Sequence, residues 1–141
     1  MKERIICIAV SLLTLLVPCV AFADAELDTS VDEVIVDEYS YTSTVSTTLT
    51  ISNAGVAKPR AVITGIPGTT TKLSATMNLQ RYSNGSWQTI QSWSDSSTSN
   101  SLTISKSKTI SRGKYRTHTV FKAYRKSKSE RIIKNSGAVT Y

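Results

Sequence analysis

The sequence predicts an all-β fold, an antiparallel two-layer sandwich of about seven strands behind a short export signal. Three observations carry that prediction. Apolar and polar residues alternate with period two from Tyr41 onward. Turn residues such as Asn84-Gly85 recur between the alternating runs. No stretch beyond the first residues has a helical period.

The first residues are of a different kind. Lys2 and Arg4 precede an apolar run from Ile5 to Val17, and Ala21-Phe22-Ala23 places small residues where a signal peptidase reads them. Residues 1–23 therefore read as a secretory signal peptide cleaved after Ala23. The run is shorter than the roughly 20 residues of a spanning helix, and Pro18 interrupts it. Pro18 also stands before Cys19 where a lipoprotein signal wants a small residue. Cleavage removes Cys7 and Cys19, both cysteines of the chain. The remainder can hold neither a disulfide nor a thiolate-ligated zinc, and an ordinary core must carry its stability.

Next comes an acidic stretch. Asp24, Glu26, Asp28, Asp32, Glu33, Asp37 and Glu38 occur with no Lys or Arg among them. The few aliphatics around them have little to bury, so residues 24–40 read as a solvated arm before a domain at 41–141. The domain inverts the charge, with fifteen Lys and Arg against only Asp95 and Glu130.

The strands follow in order. Val45, Thr47, Leu49 and Ile51 alternate with Thr and Ser as a strand with one buried face, ended by Asn53-Ala54-Gly55. A second extended segment, 57–64, contains Pro59, which a sheet edge tolerates. After the turn at 65–68, Leu73, Ala75, Met77 and Leu79 give the cleanest alternation in the chain. Its hairpin partner, 87–94, lies across Asn84-Gly85, a pair suited to the positive φ angles of a type I′ turn. Residues 95–101 read as a polar loop, and Leu102 and Ile104 begin another strand. Tyr115, Thr117, Thr119, Phe121 and Ala123 form the inward face of the next, and a turn at 126–129 leads to a last strand at 131–136. The strand number and short turns suit an immunoglobulin-like or fibronectin-like sandwich, with a small barrel as the alternative closure.

One stretch poses a register problem. If Asn84-Gly85 is a two-residue turn, Tyr82 faces Trp87, Leu79 faces Ile90, and the indoles share the outward side. Tyr82, Trp87 and Trp93 would then make a glycan-stacking platform. If Gly85 belongs to a three-residue loop with a bulge, Arg81 faces Trp87, Ala75 faces Trp93, and the indoles join Met77 and Leu79 inside. Burial of an indole is worth several kcal/mol at about 25 cal/mol per Å² of apolar area, which favours Trp93 as packing.

The run Leu79-Gln80-Arg81-Tyr82-Ser83-Asn84-Gly85-Ser86-Trp87, Trp93, Gly113-Lys114-Tyr115-Arg116 and Ala123-Tyr124 resemble a set of small secreted proteins of Gram-positive bacteria. The likeness covers roughly residues 43 to 141. It implies a signal peptide plus one β-sandwich domain and transfers no functional residue.

Catalysis finds little footing. His118 is the only histidine, on the polar side of its strand with Arg116 and Lys122. Asp95 and Glu130 are the only domain carboxylates, so a paired acid and base would need both. Too few ligands exist for a metal, and no glycine pattern suggests a nucleotide cofactor. The protein reads as non-enzymatic and free of cofactors. The remaining signal is cationic: Lys106, Lys108, Arg112, Lys114, Arg116, Lys122, Arg125, Lys126, Lys128, Arg131 and Lys134 against Glu130 alone. If their outward faces adjoin, they form a basic sheet surface that attracts polyanions; otherwise they serve solubility and guard edge strands. For an exported, extracellular or loosely surface-associated chain, the expected partner is an anionic wall polymer or anionic lipid surface. Nucleic acid suits the charge but not the compartment. The alternative is an antagonistic secreted protein whose acidic arm masks the cationic face.

Overall fold

Alternation resolves into two packed antiparallel sheets in the computed structural model, which describes residues 39–141. The expected signal peptide with its Ala21 and Ala23 cleavage positions, and the acidic arm through residue 38, lie outside the described residues. The strands are β1 (Thr42–Ile51), β2 (Val56–Gly65), β3 (Lys72–Ser83), β4 (Ser86–Ser97), β5 (Ser101–Ser105), β6 (Lys108–Thr109), β7 (Lys114–Arg125), β8 (Lys128–Asn135) and β9 (Val139–Thr140). Two more occur than the sequence suggests, because β6 and β9 have two residues each and cannot show an alternation. The expected polar loop at 95–101 is also shorter, since β4 runs on to Ser97.

The first sheet has the order β1-β2-β5 with β6 also beside β2; the second has β4-β3-β7-β8 with β9 also beside β7. Against the constant immunoglobulin arrangement, the fourth strand has left the first sheet and pairs with the third in the second. That is the fibronectin-like variant of the sandwich. Tyr115 makes the corner into β7: fully buried, it donates its hydroxyl to the Ser111 carbonyl at 2.8 Å, four residues upstream. Such a tyrosine corner marks the equivalent crossing in immunoglobulin-like domains.

Pro59 lies in β2, between β1 and β5/β6, and not on an edge. Its carbonyl accepts from Lys106 N–H at 3.2 Å. A residue's N and C=O leave a strand on the same side, so the missing N–H falls at the break between β5 and β6. Proline is tolerated there because no ladder bond is asked of it.

The inward residues form two apolar clusters. One gathers Ile63, Leu73, Met77, Leu102, Ile104, Phe121 and Ile132 with Ala61, Ala75 and Ala123; the other holds Leu49, Ala57, Leu79 and Tyr115. Between their contributions from β7 stand Thr117 and Thr119, both fully buried, and from β1 stands Thr47. The three hydroxyls have no hydrogen-bond partner among the described residues. A polar seam thus interrupts the core, and Trp93 packs against the clusters on both sides of it.

Tyr39 and Ser40, read from sequence as the end of the arm, belong to the packed domain. Tyr39 lies against the larger cluster, and the Glu130 carboxylate accepts the backbone N–H groups of Ser40 and Tyr41, each at 2.9 Å. Glu130 therefore clamps the entering chain to β8.

Phe121→Ala is expected to cost about 3 to 5 kcal/mol, as removal of a fully buried aromatic does. Thr119→Val, which keeps shape but deletes an unpartnered hydroxyl, is expected to gain about 1 kcal/mol. Urea midpoints measured at unchanged m-values check both signs.

Candidate functional site

The register of the β3–β4 hairpin decides which aromatics reach the surface. Asn84 (φ 52°) and Gly85 (φ 80°) form the two-residue turn, with Ser83 opposite Ser86 and Tyr82 opposite Trp87. A bulge follows: Gln80 pairs with Thr89 but Leu79 pairs with Gln91, leaving Ile90 without a partner and 39% exposed. The extra residue reverses the faces, so Met77 faces Trp93. The two-residue-turn register holds from the turn to Gln80 and Thr89; beyond the bulge neither expected register holds, because Ala75 pairs with Asp95 and Trp93 with Met77. Trp87 is outward, Trp93 is inward, and the three-ring platform Tyr82, Trp87, Trp93 does not form on one face.

What does form is an aromatic and cationic cluster. Tyr82 and Trp87 meet edge to face with centroids 5.2 Å apart. The Arg116 guanidinium lies 4.5 Å from the Trp87 ring centre, and Lys114 Nζ lies 5.6 Å from that of Tyr82. Arg116 Nε donates to Gln80 Oε1 at 2.8 Å, and Gln80 Nε2 in turn donates to Thr89 Oγ1 at 3.2 Å. Partial burial lowers the Arg116 pKa, yet a guanidinium stays charged at any physiological pH. Held by Gln80 and stacked on an indole, Arg116 is pre-oriented, with its terminal nitrogens left to meet an acceptor. The guanidinium covers one face of Trp87, so the accessible ring is Tyr82, 44% exposed.

The cations predicted from sequence divide among five places. Lys114, Arg116, Lys122 and Arg131 share the outward face of the second sheet, where Lys122 pairs with Arg131. Arg125, Lys126 and Lys128 sit at the β7–β8 connection. Lys106 and Lys108 run beside β2 in the first sheet, so they do not continue that face. Arg112 stacks on Tyr141 at 5.2 Å, and Lys134 pairs with the inward residue Thr119 on the edge strand β8. An inward charge at an edge discourages pairing with another chain.

Sequence reasoning left out Lys72 and Gln80. Lys72 joins the outward face across from Tyr124, its Nζ 5.6 Å from the ring. Both share parity with Asn78 on β3, the signal that could have placed them. Between the charged ends, the face carries Asn78, Ser92, Thr76, Ser94, His118 and Asn135, paired by short hydrogen bonds such as His118 Nδ1 to Asn135 Oδ1 at 2.7 Å.

Asp95 and Glu130 stand on the two edge strands of the second sheet, three strand spacings of ~4.8 Å apart, or about 14 Å. Glycosidase carboxylates work at roughly 5 to 9.5 Å. Asp95 Oδ1 accepts from Ser96 N–H at 2.8 Å, and Glu130 is occupied by the entering backbone. Among the described residues, no three His, Cys, Asp or Glu side chains group to hold a metal ion.

No protein-family model matches the chain, and comparison with curated proteins finds no match.

The two indoles should separate in solution. Iodide, drawn to Arg116 and Lys114, is expected to quench a Trp93→Phe variant more strongly than Trp87→Phe, whose remaining Trp93 emits further to the blue. Equal quenching would contradict the bulged register.

Proposed function

We propose that the protein is a secreted, non-enzymatic binding domain that attaches to an anionic polymer of the cell envelope through the outward face of its second sheet. One observation carries this reading. Lys72, Lys114, Arg116, Lys122 and Arg131 occupy that face, and no Asp or Glu of the described residues shares it. The nearest carboxylate in sequence, Glu130, pairs with buried Ala123 and points inward. A field of one sign over a flat sheet attracts a polyanion and falls off over a Debye length of roughly 8 Å at physiological salt.

The groups between the cations favour a hydrated polymer over a lipid surface. Thr, Ser, Asn, Gln and His side chains present donors and acceptors, the exposed large apolar side chains among the described residues are Tyr82 and Ile90, and Val120 opposite Ile133 is half-buried. A membrane-seeking face would show a larger apolar patch. Arg116 is the anchor, Lys114 its partner, and Tyr82 the ring against which a sugar unit can rest.

Sedimentation with purified Gram-positive walls and with anionic lipid vesicles, at low and high salt, tests the reading. Wall binding that weakens with salt is expected, and Arg116→Gln with Lys114→Gln should reduce it by about tenfold, in line with the loss of two charge-assisted contacts. Binding insensitive to salt, or confined to vesicles, would overturn it.

A further inference from the structure

The β7–β8 hairpin departs from good hairpin design in three places, all involving cations. Lys122 stands directly opposite Arg131, and Arg125 directly opposite Lys128. Like charges at facing positions destabilise a ladder. At the two-residue connection between them, Lys126 has φ 54°, in the left-handed region that favours glycine. The β3–β4 hairpin of the same domain uses Asn84-Gly85 for the equivalent task, so the departure is particular to this hairpin. Where local rules are broken together at the surface, the residues responsible are kept for something other than folding.

Glu130 sharpens the point. It is the one carboxylate in the hairpin, yet it faces inward and holds the N–H groups of Ser40 and Tyr41 instead of neutralising its neighbours. The outward side of the tip thus carries Lys122 and Arg131, with Lys72 across from Tyr124 on the adjoining strand, while Arg125 and Lys128 have the parity of Ala123 and Glu130 and, with Lys126 at the turn, add charge from the hairpin end.

Resting on the reading above, we infer that this hairpin is a second anion-binding cluster, and that the ligand is a linear polyanion lying along β7 and engaging both ends of the face. Arg116 and Lys122 are six residues apart on one strand, which at ~3.3 Å per residue separates the clusters by about 20 Å. His118 and Val120 occupy the outward positions between them and add no carboxylate. The two clusters differ in chemistry. The Arg116 end offers a fixed guanidinium beside aromatic rings; the hairpin end offers charge density alone. A ligand that reaches both gains the second contact intramolecularly, so its affinity rises by about 100-fold or more over that of a fragment filling one cluster.

Inorganic polyphosphate provides a probe of adjustable length. The protein should bind long-chain polyphosphate about 100-fold more tightly than tripolyphosphate, which cannot span both clusters. Lys126→Gly and Arg131→Glu should each raise the thermal midpoint, by relieving the positive φ and the like-charge pair, while lowering long-chain affinity toward the tripolyphosphate value. Stability and binding moving in opposite directions is a result that a purely structural hairpin would not give. If long chains bind without a length advantage, or if the two variants stabilise the fold and leave affinity unchanged, the spanning inference fails while the polyanion face stands. If neither probe binds under low salt, the face reading itself fails.

Discussion

The alternation along β7 is the constraint on which the rest of the molecule depends. β7 lies between β3 and β8, so its register is fixed from both sides. The burial of Tyr115, Thr117, Thr119, Phe121 and Ala123 obliges Lys114, Arg116, His118, Val120 and Lys122 to face outward. A slip of one residue would bury three cations and expose the centre of the core. Packing and charge placement are therefore one fact: the free energy that seats Phe121 and Tyr115 also holds the cations in one plane.

That coupling explains what was legible in the sequence and what was not. The inward faces of β3 and β7 could be read because long, regular strands repeat the same parity many times. The hairpin turn could be read because Asn84-Gly85 supplies positive φ without strain. The bulge at Ile90 could not. Nothing in Gln88-Thr89-Ile90-Gln91 distinguishes a regular strand from a bulged one; the bulge places Trp93 opposite Met77, where it packs against the core. Tertiary packing of one indole decides the facing of the other.

Sheet membership was equally hidden. Lys106 and Lys108 look continuous with Lys114 and Arg116 along the chain, but the corner at Tyr115 separates them into opposite sheets. A crossover between layers leaves no mark in composition. Conversely, Lys72 lies over forty residues before Arg116 yet shares its face, because β3 and β7 are neighbours only after the chain has passed through β5 and β6. Charge counted along a sequence predicts a field but not its surface.

The core and the charged face set limits on each other. Like charges gathered on one plane repel, and the repulsion costs the folded state more than a dispersed arrangement would. The interior of this domain offers little reserve against that cost: Thr47, Thr117 and Thr119 place hydroxyls without a partner among the described residues between its two apolar clusters, where valines would pack at the same volume. A bound polyanion acts in the opposite sense, since it neutralises the face and binds the folded state alone, so stability and occupancy are thermodynamically linked. Salt reaches the same charges from another direction, relieving the repulsion in the free domain while competing with the ligand for it. A structural role for the lysines and arginines would require only the first of these effects; a binding role requires both, through the same side chains on β7 and β8.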